Sequence, residues 1–163
     1  MNIHKIITGL TFSLVFVSRV TISADFDKGL EAFGLGDFNT VLAEWTPLAE
    51  QGNSTAQNNL GNMYADGRGV LENDKTAVKW YTLAAEQGNA AAQYNLASMY
   101  DHGEGVPEND KTAVKWYTLA AEQGDADAQN NLGLMYVDGE GVTKNFETAV
   151  KWYTLAAEQG DAD

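Results

Sequence analysis

The chain has 163 residues, no cysteine, and 23 acidic against 10 basic side chains, a formal charge of −13 at pH 7. That balance opposes phosphate backbones and anionic bilayers, so nucleic acid is set aside as a partner. The lack of cysteine removes disulfides, thiolate nucleophiles and cysteine-based zinc sites together.

The N-terminal end is unlike the rest. Lys5 precedes the uncharged, mostly apolar run Ile6–Val17, and Ser18–Ala24 closes on the small residues Ser23 and Ala24. Basic, then apolar, then small is the order of a secretory signal peptide. The run falls short of the roughly 20 residues that cross a hydrocarbon core. Residues 1–24 are therefore read as a leader cut after Ala24, leaving a periplasmic or secreted product with no membrane attachment. Loss of Lys5 and Arg19 lowers the 10 basic residues to 8 against the same 23 acidic ones, a charge of −15. Such a chain, lacking disulfides, has packing alone to hold it.

Residues 25–52 read as a divergent helical hairpin. Three units follow at a spacing of 36, over 53–88, 89–124 and 125–160, and 161–163 begin another. Thr76–Gly88, TAVKWYTLAAEQG, recurs letter for letter at Thr112–Gly124 and Thr148–Gly160. A fixed period of this length is the mark of a stacked repeat array, whose units share cores with their neighbours.

Each unit reads as two helices. The first opens at a capping residue (Asn53 or Ser54, Asn89, Asp125), and in the second unit Ala92, Leu96, Met99 and Tyr100 share one helix face. It closes at a GxGV loop whose glycines suit left-handed backbone. The second helix starts near Asp74, Asp110 or Asn145. It is apolar around most of its circumference, so it needs cover on more than one side. Gly61, Ala97 and Gly133, with Ala77, Ala113 and Ala149, mark points where helices approach closely. The Trp-Tyr pairs at 80–81, 116–117 and 152–153 read as core, since they recur at the repeat period.

The strings Ala56–Val70 (AQNNLGNMYADGRGV) and Ala77–Gly88 (AVKWYTLAAEQG) resemble the Sel-one-like repeat (SLR), a relative of the tetratricopeptide repeat. The second unit departs from the family pattern at Ala97, where glycine is preferred. The leading hairpin resembles an ordinary tetratricopeptide unit: Gly36-Asp37-Phe38 lacks the extra loop residues, and Trp45 falls where Tyr81 falls later. The resemblance implies an all-α, right-handed α-α superhelix of hairpins, with the first helices lining its concave side. It also implies a scaffold or adaptor that binds proteins or peptides. A cysteine-rich branch of the family is credited with cell-wall and β-lactam chemistry; a cell-wall-processing enzyme is thus the alternative reading, and the absence of cysteine argues against it.

Side chains flanking the core stripe of the first helices are the candidate binding residues: Asn58, Asn59 and Asn62, then Tyr94, Asn95 and Ser98, then Asn130, Asn131 and Leu134. Asn59, Asn95 and Asn131 form a ladder at the full period. In tetratricopeptide clamps an asparagine at this place bonds a peptide backbone, for which an amide offers both donor and acceptor. Bonding to the neighbouring helix is the competing role. These positions hold no Lys or Arg, and Asp66, Asp127 and Asp138 lie among them, so an internal peptide segment fits better than an acidic C-terminus. Tyr94 and Leu134 would be its anchors.

Catalytic materials are poor. After the leader the chain has one histidine, His102, beside a loop glycine, and the loop carboxylates lack calcium-loop spacing. The sequence implies no enzyme activity, metal or cofactor. At the C-terminal end the last Trp-Tyr helix would expose an apolar side. Two readings stand: the array continues in a longer protein, or copies self-associate through that helix.

Overall fold

The computed structural model describes residues 24–160. The expected leader, apart from Ala24, and the triplet 161–163 lie outside the described residues. Among the described residues there are eight helices and no strand: α1 (Phe26–Leu35), α2 (Phe38–Glu50), α3 (Ser54–Asp66), α4 (Asp74–Glu86), α5 (Ala90–His102), α6 (Asp110–Glu122), α7 (Ala126–Asp138) and α8 (Phe146–Gly160). Each helix packs chiefly on its neighbours in sequence. That is the contact pattern of a solenoid, in which order is passed from unit to unit.

Local chemistry sets the boundaries. Asn53, Asn89 and Asp125 accept from the backbone N–H of Ala56, Ala92 and Ala128 at 2.9, 3.0 and 2.8 Å. Asn73, Asn109 and Asn145 do the same for α4, α6 and α8 through Thr76, Thr112 and Thr148, each at 3.0 Å. These contacts satisfy donors that the first helical turn leaves unpaired. At the other end Gly67, Gly103 and Gly139 close the first helices in left-handed backbone. Gly105 and Gly141 also permit a close approach between units, because a Cβ on either would lie 2.5 Å from the backbone of Asp74 or Asp110 in the preceding unit. Each loop is thus seated on the unit before it.

The core is three linked clusters, each spanning two hairpins. Trp45, Val41 and Ala49 of α2 meet Ala56, Leu60 and Met63 of α3. Val78, Tyr81 and Ala85 of α4 meet Ala92, Leu96 and Met99 of α5. Tyr117 and Ala121 of α6 meet Ala128, Leu132 and Met135 of α7. Small residues set the spacing inside each hairpin. A Cβ on Gly61 would come within 2.5 Å of the Tyr81 ring, and one on Gly133 within 2.8 Å of Tyr153.

Gly29 faces Trp45 in the same way, at 2.3 Å, which fixes the register of the leading hairpin. In that register Lys28 and Glu31 stand where Leu60 and Met63 stand in α3, and Glu44 stands where Trp80 stands in α4. The Lys28 ammonium donates to Glu44 Oε1, and the Asp25 backbone N–H donates to Glu44 Oε2 at 2.9 Å. The Lys28 contact, with the Asp25 bond behind it, holds the Glu44 carboxyl below the usual carboxylate range. The leading hairpin of the described residues therefore carries charge where the later units carry Leu, Met and Trp.

Candidate functional site

Phe33 stacks on Trp45 with ring centroids 5.6 Å apart, and Phe26 also stacks on Trp45, at 5.5 Å. The Trp45 indole N–H donates to the Phe26 carbonyl at 3.2 Å, so the ring is fixed in place. Against this aromatic floor opens a cleft of about 290 Å³ between α1 and α3. It is lined by Leu30 and Phe33, by Trp45, by Asn59, Asn62, Met63 and Asp66 of α3, and by Arg68 from the following loop. Arg68 lies 5.8 Å over the Phe33 ring, and its Nε is 3.3 Å from Asp66 Oδ2. An aromatic base with amide, carboxylate and guanidinium groups at its rim suits an apolar side chain carried on a polar main chain.

The next seam along the stack is built differently. Asn95 Nδ2 donates to Asn58 Oδ1 at 3.0 Å and to Asn62 Oδ1 at 3.1 Å. Tyr81 donates its hydroxyl to the same Asn62 oxygen at 2.8 Å. One seam further, Asn131 donates to the Tyr117 hydroxyl at 3.1 Å, and Tyr94 packs on Tyr117 with centroids 5.8 Å apart. Burial, with Asp66 nearby in one case and Asp101 in the other, pushes the Tyr81 and Tyr117 hydroxyls well up from their ordinary values. Both hydroxyls stay protonated across the neutral range.

The candidate residues thus separate. Asn59 and Asn62 line the cleft. Asn58 is buried, and Asn95 and Asn131 are half-buried and bonded to their neighbours, the stacking role. Tyr94 is half-buried against Tyr117. Ser98 is half-buried, its hydroxyl 3.4 Å from His102 Nδ1. Asn130 and Leu134 are exposed on α7, away from the cleft. His102, at the end of α5, is also 2.9 Å from the Ser98 carbonyl oxygen.

Sequence reasoning missed Arg68, Phe33 and Leu30. The signal for Arg68 was present: that loop position holds Glu104 and Glu140 in the later units, so a cation there breaks the period. Arg68 is also the one arginine after residue 24. Phe33 and Leu30 lie in the divergent hairpin, where no repeat exists to align them.

The family model for the Sel1 repeat matches residues 54–89, 90–125 and 126–161. The chain belongs to the Sel1 repeat family. A Sel1 repeat protein from Oxalobacter formigenes is similar at 40% identity and a TM-score of 0.80, over 84% of this chain and 56% of that one. A protective antigen from uropathogenic Escherichia coli strains, with an SLR fold, is similar at 38% identity and a TM-score of 0.80, over 85% of this chain and 31% of that one. The chain thus spans about half the length of the first relative and about a third of the second. Helicobacter pylori cysteine-rich protein B, at 22% identity and a TM-score of 0.61 over 78% of this chain and 91% of that one, shares the fold. Among curated proteins no relative matches. Sel1 repeat proteins are typically non-catalytic scaffolds that mediate protein–protein interactions. The all-helical SLR solenoid that the family resemblance implies is the fold observed.

Proposed function

We propose that this Sel1 repeat protein is an exported scaffold that binds a protein or peptide segment in the groove lined by its first helices, with the cleft between α1 and α3 as the anchoring point. The observation that carries this reading is the cleft itself, which sets Phe33 and Trp45 beside Asn59 and Arg68. Aromatic and arginine side chains supply most of the energy in protein interfaces. Asn59 offers a donor pair and an acceptor to a peptide main chain. Asp66 already balances Arg68, so a free acidic C-terminus gains little there and an internal segment fits better. Export is supported by the leader pattern of residues 1–24.

The test is a pull-down from an envelope extract with the protein immobilised, beside versions carrying Asn59→Ala with Arg68→Ala, or Asn130→Ala with Leu134→Ala. A partner retained by the protein and by the second version, and lost by the first, supports the cleft. Equal capture by all three removes it. Mass spectrometry of the purified protein, with an N-terminus at Asp25, tests export.

A further inference from the structure

Asn62 stands at the edge of the cleft, and the two ends of its amide have different duties. Its Oδ1 accepts from the Tyr81 hydroxyl at 2.8 Å and from Asn95 Nδ2 at 3.1 Å. Two donors on that one atom fix which way the amide is turned. The Nδ2 end has no bonded partner among the described residues, and no buried side-chain nitrogen there is left without one. It therefore meets solvent, in the cleft that the residue lines. At the same rim Arg68 lies over the Phe33 ring with its Nε 3.3 Å from Asp66 Oδ2. A guanidinium has donors to spare beyond that contact. Asn59 can turn its amide either way, and Asp66 faces Arg68. The groups locked in place are donors, set beside the rings of Phe33 and Trp45.

We propose that the cleft is a site for a proline-rich segment in the polyproline II conformation, selected by Asn62 through a hydrogen bond to a main-chain carbonyl. The inference rests on the cleft as the anchoring point of the groove, and it names the ligand.

Peptides are captured in a few physical ways, and the cleft separates them. Strand addition needs a sheet edge, and the described residues form no strand. Phosphate capture needs a cluster of arginines; Arg68 is the one arginine after residue 24, and Asp66 offsets it. A terminal carboxylate meets that same Asp66. A helix spends its carbonyls on its own backbone bonds, so it would cover Asn62 and Arg68 without satisfying them, which is costly. A polyproline II segment has no internal hydrogen bonds and keeps its carbonyls outward. Proline also brings no N–H to leave unpaired against a rim of donors. Aromatic-lined grooves are where such segments dock, and their preset shape keeps the entropy cost of binding low. The donor is preset as well, because Tyr81 of α4 and Asn95 of α5 hold it from outside the cleft.

The probe is an acetylated and amidated proline peptide with one central leucine, titrated into the isotope-labelled chain and followed by NMR. Saturable shifts are expected at Phe33, Asn62, Arg68 and the Trp45 indole N–H. Asn62→Asp keeps an oxygen for Tyr81 and Asn95 but puts an acceptor where the cleft had a donor. It should fold, as urea unfolding checks, and bind the peptide about tenfold more weakly. The peptide is uncharged, so the new carboxylate acts on it as a lost donor and not as a net charge. Arg68→Ala, at an exposed side chain, should weaken binding too. Binding that both variants leave unchanged overturns the proposal. The same titration with an amphipathic peptide stapled as a helix separates the proposal from the reading beneath it. Cleft shifts with the helical peptide and none with the proline peptide overturn the proposal and leave the cleft as the anchoring point. Cleft shifts with neither peptide remove both.

Discussion

Asn95 donates a hydrogen bond to Asn58 across the boundary between two repeats, Nδ2 to Oδ1, at 3.0 Å. Asn58 is buried, so its oxygen has been taken out of water and needs that donor. Asn59, one residue away, lines an open cleft instead. Asn95→Ala is expected to lower stability by about 1–3 kcal/mol, the cost of a buried polar group left without its partner. Asn59→Ala should change stability by no more than about 0.5 kcal/mol, as a surface substitution does. Urea unfolding of the two variants separates a scaffold amide from a groove amide; equal losses would contradict the assignment.

The Lys28–Glu44 pair makes the N-terminal hairpin sensitive to pH. Glu44 is held below its ordinary value of 4.5, chiefly by the Lys28 hydrogen bond. A group lowered on folding stabilises the protein above its unfolded value, and that contribution is lost as pH falls through the folded one. Lys28 is raised above 10.5, chiefly by the Glu44 hydrogen bond. Its contribution is present below 10.5 and lost as pH rises past the folded value. The pair therefore supports the hairpin across the neutral range and fails at both ends. Hydrogen exchange in α1, followed from pH 7 downward, should quicken beyond its intrinsic pH dependence below about 4.5 in the protein. Glu44→Gln should exchange faster at pH 7 and show no such acid step; an identical step in the variant would assign it elsewhere.

Gly61 and Ala97 occupy the same place in successive units and leave different room. With glycine at 61, Tyr81 reaches Asn62 and donates to it at 2.8 Å. With alanine at 97, fully buried, Tyr117 lies against Tyr94 and takes the Asn131 amide instead. Gly61→Ala is expected to displace the Tyr81 ring, since the new Cβ would lie 2.5 Å from it. The loss should be about 1–2 kcal/mol, between overpacking and the gain in helix propensity. A thermal melt reads the first part, and the crystal structure of the variant should show Tyr81 in the Tyr117 position.

Much of this architecture is legible in the sequence because it repeats. Asn53, Asn89 and Asp125 cap, Gly67 and its counterparts end helices, and Gly61 and Gly133 admit a tyrosine; each statement could be made once and checked in the other units. The cleft was less legible for the same reason. Leu30, Phe33 and Trp45 sit in the unit that departs from the period, and Arg68 is a single break in a loop that otherwise carries glutamate. The division of labour among asparagines was also beyond the pattern. Asn58, Asn59 and Asn95 are alike as letters, and only the packing of α3 on α5 decides which of them meets a neighbour.

The buried glutamines show how far order travels along the stack. Gln93 donates to Ala85 at the end of α4 and accepts at 2.7 Å from Gln123 at the end of α6. One side chain thus joins three helices of two units, and Gln57 and Gln129 repeat the arrangement. The Ala85 carbonyl also accepts from the Gly88 N–H at 3.0 Å, so it keeps one partner if Gln93 is removed. Gln93→Ala should therefore cost about 0.5–1.5 kcal/mol for each of its bonds to Ala85 and Gln123, felt mostly in the coupling of neighbouring units and less in any one helix. In a nearest-neighbour array, weakening a central junction lets the two sides unfold apart, whereas weakening a terminal one frays only the end. Hydrogen exchange under mild denaturant should show α1–α4 and α5–α8 opening at separate free energies in Gln93→Ala. In Gln129→Ala only α7 and α8 should open early. A single cooperative transition in both variants would mean that apolar packing, not the glutamine chain, carries the coupling between repeats.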